Sequence, residues 1–306
     1  MLATRLFWLH CLSPTHAGIG RGLGYIDLPI ERDTVTGWPI IRGSGIKGVW
    51  ADYYGATDDN RRTDPLLRIA FGVSGAESES NAGSLIPSDA RLVCLPIRSF
   101  RGTFAWATSP LSLSLLRRTL ELTGLTDLPP NPSALEDTQA HHTQTSVLIE
   151  NGRIYLEEFD FQAVSCPTAT AWAERIARWV FPQDFAWQEQ FRQRFVVLPD
   201  TPFDYLCQTC TEVHTRVRID DGTKTVAEGA LWTEEYLPAE TILFGIIQCD
   251  RIFGKPQENG NSAEEKPTCD SLLDRYANPQ KPLLLHIGGK TSVGRGQVRV
   301  IFTAVP

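Results

Sequence analysis

The sequence lacks any hydrophobic run long enough to cross a membrane. A spanning helix needs about 20 apolar residues, and the apolar stretch Leu6–Leu12 near the N-terminus is far shorter. No small-residue cleavage site follows that stretch, so it does not fit a secretory signal peptide. We therefore expect a protein with no membrane partner.

A disulfide framework is also missing. The seven cysteines are odd in number and are spread over all 306 residues, whereas disulfide-rich domains are short and carry paired cysteines. This usage is typical of a reducing compartment, and we expect a cytoplasmic protein.

Positive charge is scarce overall. The net charge is −7, which taken alone argues against a nucleic-acid-binding surface. The distribution is uneven, however: residues 1–48 hold five basic against three acidic side chains, and residues 281–306 hold four basic and no acidic ones. Both basic segments are rich in glycine, so the sequence leaves room for a basic, glycine-rich surface on an otherwise acidic protein.

Short strands and helices are mixed without regular alternation, which predicts an α+β fold. The 24 glycines and 20 prolines argue against a helical bundle. Residues 13–43 form a long loop, and such loops are usually functional or disordered. Apolar spacing and end signals predict helices over 44–55, 63–72, 110–123 and 168–180, strands over 6–12, 85–99, 104–108, 154–161, 283–287 and 297–303, and a solvated loop over 254–266.

Residues 213–232 have the pattern of a β-hairpin. Apolar and polar side chains alternate along the first strand, as they do when successive residues point to opposite faces. A turn signal, Asp220-Asp221-Gly222, follows it. One face carries Val213, Thr215, Val217 and Ile219, and the other carries His214, Arg216 and Arg218.

Two glycine-rich segments fail the motifs that bind nucleotides. The run Gly18–Gly24 departs from G-x-G-x-x-G at Leu23. A phosphate loop ending at Lys290-Thr291 would need a glycine where the chain has Leu284. These failures disfavour a small-molecule enzyme that uses the glycine loops for a nucleotide.

A looser phosphate-binding hypothesis survives. The run Arg42–Gly48 places glycines and Lys47 at a predicted helix start, where backbone amides favour an anion. An ordinary cap by Ser44 explains the same residues. The second loop, Gly288–Gly296, fits either a phosphate chain or a tight connection between strands.

Two histidine patterns carry little chemical signal. Cys207, Cys210 and His214 are zinc-ligand types, but no second Cys-x-x-Cys completes a tetrahedral set, so free buried thiols are favoured. The pair His141-His142 lies in a polar, proline-rich stretch, and we expect it in a solvent-exposed loop.

Several runs together resemble one family. They extend over nearly the whole chain, although residues 110–210 match less clearly. The family is the repeated backbone subunit of the type III-B CRISPR–Cas effector complex (Cmr type), within the RAMP superfamily. The runs are His16–Gly24, Ile26–Arg32, Thr36–Ile41, Gly43–Gly48, Ser88–Arg91, Leu95–Ser99 with Gly102–Ala105, Leu231–Pro238 and Gly288–Gly296.

The resemblance implies a single RAMP domain with three parts. These are a modified ferredoxin-like (RRM-like) palm from 1–108 and 240–306, an inserted helical and loop region over about 109–210, and a β-hairpin thumb over about 211–238. Copies would stack as a helical filament along the guide RNA. Each thumb would interrupt the guide–target duplex, and target RNA would be cut beside the flipped-out nucleotide.

The implied partners are guide RNA, single-stranded target RNA, further copies of the chain and the other subunits of the complex. The implied activity is endonucleolytic cleavage of target RNA at regular intervals. A subunit of the same filament that binds RNA without cutting it is the alternative. RNA would meet only the basic, glycine-rich edge of an otherwise acidic protein.

The resemblance also implies site residues. The family's essential carboxylate corresponds to Asp27, supported by His16, Glu234 and Tyr236, although by itself Asp27 also fits a simple turn former. Because RNA carries its own 2′-OH nucleophile, Asp27 would either hold Mg²⁺ or another divalent ion, or accept the 2′-OH proton. The RNA-binding residues would be Arg42, Ser44, Lys47, Arg216, Arg218, Gly288, Gly289, Lys290, Gly294 and Arg295.

Overall fold

The apolar run near the N-terminus forms a strand that is buried on both of its faces. In the computed structural model of the chain, this strand, β1, spans Ala3–Cys11. Phe7 and Leu9 belong to one hydrophobic cluster, and Leu6 and Trp8 belong to another, because successive side chains of a strand point to opposite faces. The sheet around β1 therefore has a core on each side.

The structure describes residues 2–22, 24–74, 80–253 and 267–305, so the loop predicted over 254–266 lies outside the described residues. No helix in these ranges has the length and apolar character needed to cross a bilayer. The helices are α1 Gly43–Tyr53, α2 Asp58–Thr63, α3 Pro65–Phe71, α4 Pro110–Leu122, α5 Pro167–Val180, α6 Phe185–Arg194, α7 Asp200–Thr209 and α8 Cys269–Tyr276, with a short 3₁₀ helix at Thr291–Val293. The remaining strands are β2 Ile40–Ile41, β3 Gly72–Val73, β4 Asn81–Ala82, β5 Ile86–Pro87, β6 Ala90–Arg98, β7 Phe104–Thr108, β8 Gln139–His142, β9 Ile149–Glu150, β10 Arg153–Leu156, β11 Phe159–Ser165, β12 Phe195–Val197, β13 Glu212–Ile219, β14 Val226–Tyr236, β15 Ile242–Cys249, β16 Leu283–His286 and β17 Gln297–Ala304.

One large mixed sheet runs through the molecule. Its strand order is β16-β17-β1-β15-β6-β7-β12-β8-β11-β10-β9, with β2 paired to β6 and β5 paired to β15. The β7–β12 and β8–β11 pairs are parallel, and β1 is antiparallel to both of its neighbours. The predicted mixture of strands and helices is confirmed, with a central sheet as its frame.

Helices cover both faces of this sheet. On one face, α1, α3 and α8 bring together Trp50, Phe71 and Tyr276, and the Trp50 indole N–H donates a 3.0 Å hydrogen bond to the Tyr276 carbonyl. On the other face, α4, α5 and α6 pack Trp172 and Phe191 against β1 and its neighbours. A third cluster lies between α7 and strands β6–β12.

Local signals place several elements where they are predicted. Helix α4 begins with a proline directly after Ser109, whose hydroxyl accepts a hydrogen bond from the Ser112 N–H, as expected for an N-cap. The prediction that His141 and His142 lie in a solvent-exposed loop is wrong. Both residues lie in β8, between β11 and β12, and the His142 ring is buried at 8% exposure with its Nδ1 2.7 Å from the Thr143 carbonyl.

The predicted hairpin forms, and it stands apart from the main sheet. Strands β13 and β14 pair only with each other among the described strands. Their apolar face is open to solvent, and Val213, Val217 and Leu231 are 52%, 45% and 64% exposed. At its root, bridges join Leu28 to Glu234 and Thr15 to Leu237. The hairpin base is therefore attached to the long N-terminal loop.

Candidate functional site

Two glycine-rich loops and the start of α1 line one cleft of about 480 Å³. The Gly289 N–H donates a 3.0 Å hydrogen bond to the carbonyl of His16, which ties the loops together. Gly288 has φ +81°, and a Cβ at this position would lie 2.0 Å from that same carbonyl oxygen. Only glycine fits there, both sterically and conformationally. The structure thus brings together segments that lie at opposite ends of the sequence.

The start of α1 differs from the prediction. The helix begins at Gly43, whose N–H donates a 2.8 Å hydrogen bond to the carboxylate of Asp89. The alternative in which Ser44 caps the helix is therefore wrong, because the carboxylate of Asp89, directly before β6, accepts the hydrogen bond from the first helical amide. Arg42 bridges Asp89 (3.1 Å) and Glu31 (2.8 Å). Ser44 remains exposed and lines the cleft, in the helical turn whose amides have no intrahelical acceptor.

The imidazole of His16 is buried and fixed in orientation. Its Nδ1 lies 2.7 Å from the carbonyl oxygen of Glu235, and because a carbonyl only accepts, Nδ1 carries the proton. In the neutral ring, Nε2 is then the accepting atom, and it borders Gly18, where a Cβ would lie 2.3 Å away. The edge of the ring also contacts Tyr236. His16 therefore presents a proton acceptor at the wall of the cleft.

Asp27 is exposed but firmly positioned. Its Oδ2 accepts hydrogen bonds from the N–H (2.8 Å) and the hydroxyl (2.9 Å) of Thr233. These bonds, with a smaller contribution from the Arg21 charge, hold the pKa of Asp27 below its usual range. No residue of the described part of the chain other than Asp27 itself donates a hydrogen bond to its Oδ1. Asp27 thus offers one free oxygen of an ionised carboxylate.

Glu234 is the centre of a buried charge network. Its side chain is 1% exposed; Oε1 lies 2.5 Å from the Lys290 ammonium and accepts a 2.6 Å hydrogen bond from the Trp232 indole. The Arg216 guanidinium lies 3.3 Å from Oε2, which also accepts a hydrogen bond from the Tyr236 hydroxyl. Burial by itself raises the pKa of Glu234, but the bonds from Lys290, Tyr236 and Trp232 outweigh it and lower the pKa to about 2.

Tyr236 is fully buried beside this carboxylate. Burial, together with the hydrogen bond to Glu234, raises the pKa of Tyr236, so its hydroxyl stays protonated. The Arg295 guanidinium lies over the ring at 5.0 Å, a cation–π contact. Arg295 follows Gly294, which has φ +78°. The second glycine-rich loop is therefore anchored on the hairpin root.

Sequence reasoning missed a second buried carboxylate, Glu235. Its Oε1 accepts hydrogen bonds from Arg32 (2.6 Å) and Thr211 (2.7 Å), and its Oε2 accepts one from the Ile30 N–H (3.0 Å). Alternation along β14 could have shown that Glu235 faces away from Glu234, but nothing in the sequence pairs it with Arg32. This network fixes the loop that carries Asp27.

Not all of the predicted RNA-binding residues line the cleft: Arg42, Ser44, Gly288 and Gly289 do, and Lys47, Arg216, Arg218, Lys290, Gly294 and Arg295 do not. Lys47 is half-buried, and its ammonium lies against the backbone of Gly83, where a Cβ would be 2.7 Å away. Burial, with repulsion from Arg61, lowers the pKa of Lys47. Arg218 is exposed near the tip of the hairpin. Neither side chain lines the cleft.

The described residues contain no group of three His, Cys, Asp or Glu side chains placed to hold a metal. At the possible zinc ligands over 207–214, Cys207 packs in the core, and His214 lies 2.9 Å from the carboxylate of Glu212. Both carboxylate oxygens of Glu234 are already engaged by other side chains, so Glu234 is not available as a metal ligand. Asp27 Oδ1 is the one remaining candidate oxygen of these two carboxylates. One carboxylate oxygen fits Mg²⁺ or another hard divalent ion only if that ion takes most of its ligands from outside the chain.

Comparison with known proteins identifies the family of the chain. The sequence model of the RAMP superfamily matches residues 8–299. The CRISPR system Cmr endoribonuclease Cmr4 of Pyrococcus furiosus is 30% identical over 303 residues, which cover 98% of this chain and 96% of that protein. The CRISPR system CMR subunit Cmr4 of Saccharolobus solfataricus is 20% identical over 312 residues, covering 96% and 94%.

Solved structures share the fold. Oligomeric Cmr4 from Pyrococcus furiosus superposes with a TM-score of 0.74 at 24% identity, covering all of both chains. A chain of the type III-B Cmr-beta complex bound to cognate target RNA gives 0.70 at 19% identity, covering 98% of this chain and 96% of that one. With a family match over most of its length and 30% identity to a Cmr4 protein along nearly all of both sequences, the chain belongs to the RAMP superfamily and, within it, to the Cmr4 family.

Proposed function

We propose that the chain binds guide RNA as a repeated backbone subunit of a type III-B CRISPR effector complex and cleaves target RNA at regular intervals. The cleft carries this proposal, because it joins two glycine-rich loops, a helix start and a histidine, with an ionised aspartate fixed nearby. A relative is named an endoribonuclease, and similar chains occur in an oligomer and in a complex with target RNA. The odd number and wide spread of the cysteines are typical of a reducing compartment, so we also propose a cytoplasmic location.

The proposed RNA path follows the cleft and then the hairpin. Backbone amides and glycines allow close approach of a sugar–phosphate chain without a side chain in the way. In this assignment the palm is 1–108 with 240–306, the insertion is 109–210 and the thumb is 211–238. The exposed apolar face of β13 and β14, with Arg218 near its tip, suits insertion between nucleotides, since apolar side chains wedge between bases and cations meet phosphates. The open face of the hairpin supports this role.

The cleavage chemistry that we propose uses the 2′-OH of the target as nucleophile. Asp27 or His16 Nε2 accepts the 2′-OH proton, because Asp27 is ionised and His16 is held with Nδ1 protonated. Tyr236 and Glu234 act as positioning residues: they hold Lys290 and Arg216 beside the hairpin root. The products would be a 2′,3′-cyclic phosphate and a 5′-OH end.

A magnesium ion would be held by Asp27 Oδ1 in this proposal. When bound, it would neutralise phosphate charge. The residues of the chain do the rest: the hydrogen bonds from Thr233 fix the carboxylate, and the Glu235–Arg32 pair holds the loop on which Asp27 lies.

Asp27→Asn tests the proposal, because it keeps the shape of the side chain and removes its charge. In a reconstituted complex, single-turnover cleavage should fall by a factor on the order of 10² to 10⁴, while guide and target binding stay within a few-fold. Asp33→Asn, in the same loop, is the matched control: asparagine can still accept the turn hydrogen bonds from the Val35 and Thr36 amides, and cleavage should be unchanged. Reactions with Mg²⁺ and with chelator separate a metal-holding role from a proton-accepting role. Wild-type cleavage by the Asp27→Asn complex would favour a subunit that binds RNA without cutting it.

A further inference from the structure

Two thiols outside the cleft lie in direct contact. The Sγ atoms of Cys249 and Cys269 are 2.6 Å apart. Carbon atoms in van der Waals contact lie about 3.5–4.0 Å apart, and sulfur is larger than carbon, so the two sulfurs are closer than an ordinary non-bonded contact and are within bonding reach. Cys249 is the last residue of β15, and Cys269 is the first residue of α8. The pair thus bridges the central sheet and a helix that packs on it.

We propose that Cys249 and Cys269 are an oxidation site that forms a reversible disulfide. A metal fits the pair less well. Two thiolates bound to one tetrahedral zinc ion lie about 3.8 Å apart, as Zn–S bonds of about 2.3 Å require, and the described residues supply no group of three metal ligands. The contact distance and the missing ligands both favour a sulfur–sulfur bond.

The surroundings of the two thiols assign them different roles. Cys269 is half-exposed and lies in the first turn of α8, where a small solute can reach its sulfur. Cys249 is fully buried, and burial raises the pKa of its thiol. Cys269 is therefore the thiol that meets an external oxidant, and Cys249 is the thiol that resolves the product.

The oxidant that we name is a low-molecular-weight disulfide. The Cys269 thiolate attacks one of its sulfurs, forms a mixed disulfide and releases one small thiolate. Cys249 then gives up its proton and attacks Cys269 Sγ, which forms the Cys249–Cys269 bond and releases the second small thiolate. The two protein thiols lose two electrons and two protons, and the small disulfide gains both to become two thiols.

The bond would link positions that are 20 residues apart in the chain. It would fix the start of α8. Leu272, Leu273 and Tyr276 of this helix pack in the hydrophobic cluster that also contains Phe7 and Leu9 of β1. Closing a loop of this length stabilises a folded chain mainly by restricting its unfolded state. For a protein of this size we expect Tm to rise by about 5 °C on oxidation.

Oxidised glutathione is the probe for the test, applied to the folded, full-length chain. The expected result is the loss of two titratable thiols per chain and a peptide map that links Cys249 to Cys269, both reversed by a reductant. Two single variants separate the roles. Cys249→Ala should keep glutathione attached to Cys269, and Cys269→Ala should take up no glutathione at either position.

Cys94→Ser is the matched control, since Cys94 is also buried but has no cysteine partner among the described residues; it should oxidise as the wild type does. Seven intact thiols after oxidation would overturn the proposal. A wild-type chain that keeps glutathione on Cys269 without forming the link would overturn it as well.

Discussion

Replacing Glu234 with glutamine removes a buried charge while keeping the size and shape of the side chain. Glu234 is 1% exposed, and its pKa falls from 4.5 to about 2 in the folded protein. Since one pKa unit corresponds to about 1.4 kcal/mol, the ionised carboxylate contributes about 3 kcal/mol to stability. Lys290 and Arg216 keep 31% and 32% of their side-chain surface in solvent. Both cations can be hydrated when the carboxylate charge is lost. We therefore expect Glu234→Gln to lose less stability than the upper end of the 3–5 kcal/mol that is typical of a broken buried ion pair.

The stabilisation by ionised Glu234 should depend on pH. Because the folded-state pKa is lowered, the stabilisation is complete above pH 4.5 and is lost as the pH falls toward 2. Glu234→Gln lacks it at every pH, so the two proteins should differ by about 3 kcal/mol at pH 7 and by about 2 kcal/mol at pH 3.5. Denaturant unfolding at both pH values measures the difference. Glu212→Gln, on the partner strand, removes a half-exposed carboxylate and should change stability by less than about 1 kcal/mol. Equal stability of wild type and Glu234→Gln at pH 7, or a difference that does not shrink at pH 3.5, would refute the reasoning.

Two further changes probe the cleft and the hairpin. Gly288→Ala should lower Tm by about 5 °C, because a left-handed alanine that meets the His16 carbonyl costs about 3 kcal/mol; Gly289→Ala, whose Cβ would lie 3.6 Å from the His16 ring, should change Tm little. Equal midpoints for the two variants in thermal unfolding would contradict the close approach of the loops. Deleting Arg218–Lys224 while keeping a short turn should leave the fold intact, and cleavage of a long target by the reconstituted complex should lose its regular spacing. Sequencing of the fragments reads this spacing, and an unfolded deletion variant would show that the hairpin is part of the core.

Much of the local structure was predictable from short-range patterns. The hairpin alternation over 213–219, the apolar run of β1 and the proline-started helix α4 all appear as expected, because each depends on residues within one or two turns. Strand β8 was missed because its sequence, Gln139–His142, is polar. It is a strand only because β11 and β12 flank it, and tertiary pairing overrides intrinsic preference at such positions.

The site residues likewise include some that were predicted and one that was missed. The resemblance implied roles for His16, Asp27, Glu234 and Tyr236, and the structure places all four along the end of β14 or in contact with it. Glu235 was missed, although it accepts hydrogen bonds from two side chains and one backbone amide. Its partner Arg32 lies 203 residues away in the chain, and local sequence carries no information about such a pair.

By itself, the sequence determined where the chain can turn and which faces are apolar, since these follow from side-chain size, backbone freedom and periodicity. It also determined the absence of a positive net charge, and with it the need for any RNA surface to be local. Only the tertiary structure decided that the loop of Asp27 meets Thr233, 206 residues further along, and that Gly288 closes on His16. These meetings depend on strand register and on packing across the whole sheet, where a shift of one residue would turn every side chain of β14 to the opposite face.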